Sequence, residues 1–347
     1  MTVRGLQIDG YGVCLPEGTV TFGSATRYRA EAPAQHLDML VDSAQKAIAA
    51  AGISADDLDC IIGATAGDVQ PIPCTASLVQ ERVAPDARCA ALDVNSTCTS
   101  FITALDVASR YLRDGEYRRI LIVAGDVGAQ FLHPGQRESF ELFSDAAVAV
   151  VVSSPSAEGV GVLASLQQTW PRHAHETELR GGGSRMPGRD FHPDNDHDYR
   201  FDMDGRAVLL SASRVLPGFF ERFFEKAGTS VDEIDYVIPH QASRALPLHA
   251  TDRDPRGPLR ELRRGLRQHG LRLGPVRPCE GLGRGPDRAW QPRAALRHGC
   301  WPHGERAAAA ALTRQARASK NSTRDPVMAA SASARSTVGT PSPSWGP

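Results

Sequence analysis

A chain of 347 residues, 41% hydrophobic and 23% charged, is long enough for two domains or one large duplicated core, with the composition of a soluble globular protein. No apolar run approaches a membrane span, and Met1-Thr2-Val3-Arg4-Gly5 carries no signal-peptide pattern. The formal net charge is −1, and seven scattered cysteines without a CxxC pair argue against a zinc site or disulfide framework and for reduced thiols in a cytoplasm.

Val3 to Val13 reads as a strand, and Gly18 to Ala34 as a polar loop. Leu37, Leu40, Val41, Ala44 and Ile48 recur at helical spacing, which predicts a helix from Pro33 to Ala51 capped by Gly52. Asp59 to Ala64 is a buried strand. Gln70 to Val83 opens on Pro71 and Pro73 and continues as a helix. Ala90 to Val94 is a short strand, followed through small polar residues by an amphipathic helix from Thr99 to Arg113 that ends at Gly115. Ile120 to Ala124 and Ala146 to Val152 are further strand formers. Strands alternating with helices of this length predict an α/β layered fold with crossover connections.

Residues 169 to 200 hold His173, His175, His192, His197, three consecutive glycines and several prolines. The spacing gives no metal-ligand pair on one helix face, so the stretch reads as a mobile surface loop. Arg206 to Ala227 is a long helix so apolar that it should be buried between layers, with Gly228 as its cap. Ala51 to Ile62 and Ala227 to Ile238 share one plan: a helix ending on Ala-Gly, an acidic turn, and a strand beginning on Asp. That repetition fits a duplicated core.

Cys98 falls where the Ala90 strand hands over to the Thr99 helix. Backbone N–H groups and the helix dipole there favour thiolate. A small buried cysteine packing like alanine is the plain alternative. The second strand-to-turn segment, Asp235 to Ser243, carries His240, and a cysteine with a distant histidine is an arrangement for covalent catalysis.

Val94-Asn95-Ser96-Thr97-Cys98-Thr99-Ser100-Phe101 resembles the nucleophile segment of beta-ketoacyl-acyl-carrier-protein synthase III and its relatives in the thiolase superfamily. Ile238-Pro239-His240-Gln241-Ala242-Ser243 resembles that family's histidine motif. Phe143 to Ala149 is similar to its glycine- and alanine-rich strand entry, and Met203-Asp204-Gly205-Arg206 to the segment opening its second-half helix. The resemblance runs from about residue 3 to about residue 246. It implies a thiolase-like duplicated α-β-α-β-α layered core, with an N-terminal half over 1–165 and the start of a C-terminal half over 166–246. It implies Cys98 as nucleophile and His240 as its partner, and neither metal nor cofactor.

Further roles follow from the same resemblance. Ile72, before Pro73, would reach into the partner subunit's acyl pocket in a homodimer; a plain turn contact is the alternative. Met203 would line the acyl pocket. Arg27 and Arg244 would shape the thioester entrance, together with Tyr28 and Arg29, or the arginines are ordinary surface residues. The implied partners are acyl-CoA or acyl-carrier-protein thioesters and the carrier protein itself. Nucleic acid and membranes are not expected.

After about Leu246 the pattern collapses into Arg-, Pro-, Ala- and Gly-rich sequence. From residue 247 onward 18 basic residues face 7 acidic ones, against 21 and 33 in the first 246. The family's Gly-Asn motif and last Gly-rich strand are absent as written. Out-of-frame reading of GC-rich codons explains the composition of 247–347 more simply than a nucleic-acid-binding tail, and a real basic, disordered tail is the alternative. A one-base shift can restore an Asn motif near Gln268 and a Gly-rich strand over 287–300. Three functions stay open: decarboxylative condensation giving a 3-oxoacyl product for fatty-acid or polyketide synthesis, acyl transfer to an oxygen or nitrogen acceptor, and an inactive product of a frameshifted gene.

Overall fold

The most apolar stretches of the chain build the middle of a five-stranded mixed sheet. The structure, a computed structural model, describes residues 3–23, 25–230, Ile234 and His240. Its strands in chain order are β1 (Arg4–Gly5), β2 (Gln7–Cys14), β3 (Thr19–Phe22), β4 (Ala25–Tyr28), β5 (Cys60–Gly63), β6 (Ala90–Asp93), β7 (Arg119–Asp126), β8 (Ala146–Ser153), β9 (Gly161–Val162), β10 (Thr177–Glu178) and β11 (Asp202–Met203). The α-helices are α1 (Gln35–Ala51), α2 (Thr75–Val83), α3 (Ser100–Arg113), α4 (Arg137–Leu142) and α5 (Gly205–Ala227).

The main sheet runs β2-β8-β7-β5-β6. β5 is parallel to both neighbours, while β8 is antiparallel to β7 and β2. Because successive strand residues point to opposite faces, Ile61 and Ile62 serve different cores. On one face, Met39, Leu40, Ala44 and Ile48 of α1, with Ala76 and Val79 of α2, cover Ile61, Leu121, Val123 and Val151. On the other, Ala104, Leu105, Ala108 and Leu112 of α3 cover Ile62, Ile120, Ile122, Val150 and Val152. A sheet buried on both faces needs unbroken apolar strands, and Ile120–Val123 and Ala149–Val152 supply them. The layers are helix, sheet, helix, as the alternation of strands and helices predicts.

The repeated Ala-Gly helix ends have the same geometry. Gly52 and Gly228 both adopt the left-handed conformation, at φ/ψ of 67°/32° and 59°/32°, and both return their N–H to the last turn. An L-residue with a side chain is disfavoured there. The strand expected after Gly228, and all of 247–347, lie outside the described residues.

Three expectations need correction. Gly18 to Ala34 is not simply a loop: β3 and β4 form a hairpin whose register pairs Thr19 with Tyr28. Residues 169–200 lie at the surface as expected, but hold β10 and three 3-10 turns with side-chain ties among them. Arg180 bridges Asp198, Glu178 and Asp202, and the Tyr199 hydroxyl donates to the Pro187 carbonyl at 2.8 Å. Long arginine reach, absent from a His and Gly count, organises that stretch. Finally, α5 is not buried along its length. Phe224 is its buried residue, while Leu209, Leu210 and Leu216 are exposed.

β2 lies close against α1 through glycine. A Cβ on Gly12 would collide with the backbone carbonyl of Ser43 and the Lys46 side chain. Gly12→Ala is expected to lose about 1–3 kcal/mol of stability, the usual range for overpacking. The check is the urea midpoint followed by circular dichroism; an unchanged midpoint would mean that β2 has room to move.

Candidate active site

β6, β5 and β7 run parallel; β5 and β6 end in step, Gly63 pairing with Asp93, while β7, beside Gly63 at Val123, continues against β8 to Asp126. The carboxyl ends of parallel strands, at the point where connections diverge, are where α/β sheets place their ligands. The last ladder bonds run past the strands, Ala64 N to Val123 O at 2.8 Å and Val94 N to Gly63 O at 2.7 Å. Beyond them the backbone needs other partners.

Carboxylates and amides at the strand exits provide them. Asp93, the last residue of β6, accepts the N–H of Thr75 at 2.7 Å and of Ala76 at 2.8 Å, capping α2. Asp126, the last residue of β7, accepts the N–H of Ala66 at 3.0 Å and of Gly67 at 2.8 Å, both on Oδ1. Asn95 donates through Nδ2 to the Ala66 carbonyl at 3.1 Å and accepts the Thr97 N–H at 2.9 Å.

Cys98 sits in a single 3-10 turn, Thr97–Thr99, that leads straight into α3. Thr97, just before it, has φ of 53°, and no other non-glycine among the described residues has positive φ. Such a conformation in a β-branched residue costs on the order of 1–3 kcal/mol and persists where surroundings over-determine it. Buried Ser100 is one such constraint. Its Oγ accepts the Ser96 N–H at 3.0 Å and shares its proton between the carbonyls of Thr97 at 2.7 Å and Thr65 at 3.2 Å. The hydroxyls that set this segment apart have local work. Thr97 Oγ1 donates to the Ser96 carbonyl at 2.8 Å, and Ser96 Oγ meets Thr103 Oγ1 at 2.7 Å.

Cys98 is exposed by surface area, so a substrate can reach it. Enough protein surrounds the sulfur, however, to penalise its charge. Desolvation and the nearby Asp126 carboxylate push the thiol above its ordinary value, and the residue's own N–H opposes them. The balance therefore runs against the expected thiolate: the N–H of Cys98 helps, but burial and then Asp126 outweigh it. Asp126 is itself pushed up to about 6, mainly by burial, with the N–H groups of Gly67 and Ala66 and the charge of His36 pulling it down. His36 lies in α1, its Nε2 2.9 Å from the Gly125 carbonyl.

His240 is exposed by surface area, yet neighbouring protein desolvates its ring and lowers its pKa, which favours the neutral imidazole. No hydrogen bond joins it to Cys98 among the described residues. Ile72 is 84% exposed at the end of a cis peptide to Pro73. Met203 is half-buried in β11, opposite Thr177. Arg27 donates to the carbonyls of Glu141 at 2.9 Å and Thr26 at 3.0 Å, and Arg29 to that of Phe143 at 2.6 Å. Their guanidinium groups fasten the hairpin to the segment around α4. Arg244 lies outside the described residues. Among the described residues no cluster of three or more metal-ligating side chains forms, and no helix is long and apolar enough to cross a membrane.

Sequence reasoning singled out Cys98 and missed Asp126. A Gly-Asp pair closing an apolar strand was the available signal, but nothing in one dimension brings that pair beside the Cys98 turn.

The chain has recognisable relatives. The family model for 3-oxoacyl-[acyl-carrier-protein (ACP)] synthase III matches residues 92–170, a span that includes Cys98 and Asp126. The beta-ketoacyl-[acyl-carrier-protein] synthase III of Roseiflexus castenholzii is 31% identical over 254 residues, covering 68% of this chain and 76% of the relative. That of Staphylococcus aureus is 32% identical over 231 residues, covering 67% and 68%. The crystal structure of 3-oxoacyl-[acyl-carrier-protein] synthase III from Aquifex aeolicus superposes with a TM-score of 0.60 at 23% identity, covering 78% of this chain and 86% of that one.

Alkylation of Cys98 should accelerate with a midpoint above pH 9, since the thiol is raised above its ordinary value of 9.0. Peptide mass spectrometry of iodoacetamide-treated protein across pH 6–11 reads this out for Cys98 separately from the other thiols. A midpoint near neutrality would show that the turn's N–H groups dominate after all.

Proposed function

The chain belongs to the beta-ketoacyl-acyl-carrier-protein synthase III family of thiolase-like enzymes, and from that premise we propose that Cys98 is its acyl-accepting nucleophile and His240 its partner. Family membership carries the reaction class: a condensing acyltransferase that joins an acyl group to a malonyl-type thioester with loss of carbon dioxide, yielding a 3-oxoacyl thioester for fatty-acid synthesis.

The single observation supporting the residue assignment is an exposed sulfur on a strained turn at the carboxyl end of parallel strands. The thiol attacks the carbonyl of an acyl thioester, and its proton leaves with the departing coenzyme A or carrier thiol. The malonyl-type thioester then loses carbon dioxide. Its carbanion attacks the acyl-enzyme carbonyl, and the Cys98 sulfur departs and recovers a proton. Because the resting thiol is held protonated, proton removal must accompany attack, and a neutral imidazole can accept it. The N–H of Cys98 is an oxyanion donor in this scheme. Polyketide synthesis is a second pathway open to the same chemistry. The scattered cysteines without a CxxC pair support a cytoplasmic setting.

We also propose a homodimer in which Ile72 enters the partner's acyl pocket and Met203 lines the pocket, with Arg27 and Arg244 near the thioester entrance. A bare isoleucine at a proline turn supports the first of these. Sedimentation showing only monomer at micromolar concentration would exclude it.

A second reading concerns the tail. No Gly-Asn pair follows His240, and three leucines of α5 stand exposed. Both support a shift of reading frame between about Ala245 and Arg264, leaving a chain that lacks the third catalytic group. Resequencing the coding DNA tests this directly, since a confirmed frame across that stretch removes the idea.

Incubation of the full chain with an acyl thioester is expected to add one acyl mass to the Cys98 peptide, and Cys98→Ala to abolish the label. Adding malonyl thioester should release carbon dioxide from a competent chain. Labelling without carbon dioxide release is the result expected of the frameshifted product, and no label at all would remove Cys98 as nucleophile.

A further inference from the structure

The exits of β5, β6 and β7 are joined by a continuous set of hydrogen bonds. Asp126 Oδ1 receives two N–H groups, from Ala66 at 3.0 Å and Gly67 at 2.8 Å. The carbonyls of that same segment face the nucleophile turn: Ala66 O accepts from Asn95 Nδ2 at 3.1 Å, and Thr65 O from Ser100 Oγ at 3.2 Å. Asn95 Oδ1 and Ser100 Oγ in turn hold the Thr97 N–H at 2.9 Å and the Ser96 N–H at 3.0 Å. The residues so restrained, Ser96 and Thr97, immediately precede Cys98, and Thr97 is the residue with φ of 53°.

We propose that Asp126 is a positioning residue for the Cys98 thiol, acting through the Thr65–Gly67 segment and the Asn95 and Ser100 side chains that grip it. The proposal deepens the acyl-transfer reading and rests on it for the meaning of Cys98, though not for the geometry. A strained φ is maintained only while its restraints are themselves fixed. The 65–67 segment has left the sheet ladder, so a carboxylate is needed to fix it. The arrangement carries an electrostatic penalty, because the carboxylate that holds the segment also lies near the sulfur. His36 of α1 and Asp145 are the other charged or titratable groups acting on Asp126. Asp145 is committed elsewhere, accepting the N–H groups of Ala30 and Ala129, each at 2.9 Å.

Asp126→Asn separates the two effects, since the amide oxygen can still accept both N–H groups while the charge is gone. Asp126→Ala removes both. Asn95→Ala breaks the link at an exposed side chain and spares the core, so it remains informative should Asp126→Ala fail to fold.

The test uses the full chain, with deuterium exchange followed in peptides covering 64–68 and 94–100. Cys98 labelling by an acyl thioester is measured beside its alkylation by iodoacetamide. In Asp126→Ala, exchange over 94–100 is expected to rise about tenfold, and acyl labelling to fall about tenfold relative to alkylation, the scale expected when charge-assisted hydrogen bonds to a partly exposed segment are lost. Asp126→Asn should restore both to within about threefold, because the acceptor survives. Asn95→Ala should raise exchange over 94–100 without raising it over 64–68 to the same degree.

Wild-type exchange over 94–100 in Asp126→Ala overturns the proposal. So does Asp126→Asn behaving as badly as Asp126→Ala. If the wild-type chain takes no acyl label while the exchange pattern follows the expected order, the acyl-transfer reading falls and the positioning of the turn stands.

Discussion

The surroundings of Cys98 depend on three parallel strands of unequal length: β5 and β6 end level, and β7 runs on to Asp126. A parallel ladder satisfies backbone groups only while both neighbours continue. Where β5 and β6 stop, the next residues still carry N–H and C=O groups that need partners, and β7, which runs on to Asp126, brings one. The chain meets this demand with short polar side chains placed at or just after the strand ends: Asp93, Asn95, Ser100 and Asp126. Each accepts or donates to a segment from a different strand. The exits are thereby locked to one another, and a turn that would otherwise relax is held in an unfavourable conformation with its cysteine outward.

That solution sets the chemistry of the sulfur. A helix N-terminus favours a thiolate, and the N–H of Cys98 does act in that direction. The same neighbourhood contains enough protein to penalise a charge on the sulfur and a carboxylate that holds the 65–67 segment, and these two outweigh it. A thiol kept protonated at rest and exposed to solvent is less open to oxidation than a standing thiolate. The price is dependence on a proton acceptor arriving with the substrate or from the other half of the molecule. In the proposed scheme His240 is that acceptor, and desolvation favours its neutral form.

Much of the first half was legible from the chain alone. Fully apolar runs such as Ile120–Val123 can only be strands covered on both sides, and the helical spacing of Leu37 to Ile48 leaves little choice of face. The helix ends at Gly52 and Gly228 were equally plain, because a left-handed cap has a residue preference that is local in origin. The β3–β4 hairpin escaped notice: its strands are short, polar and half-exposed, so they carry no strong alternation. The exposure of α5 could not be read from its own residues either. An apolar face states what a helix could bury, and only its neighbours state whether it does.

The amino-acid order by itself determined the main helices, the apolar strands, the family and the candidate cysteine, because propensity, period and motif are properties of neighbours in the chain. Tertiary structure alone decided that Asp126, 28 residues beyond Cys98 in number, shares its surroundings, that Thr65–Gly67 lies between them, and that the thiol is raised and not lowered. Those outcomes depend on which strand ends adjoin in the sheet and on how much water they exclude. Coulombic and solvation energies follow distance in space, and distance along the chain does not report it.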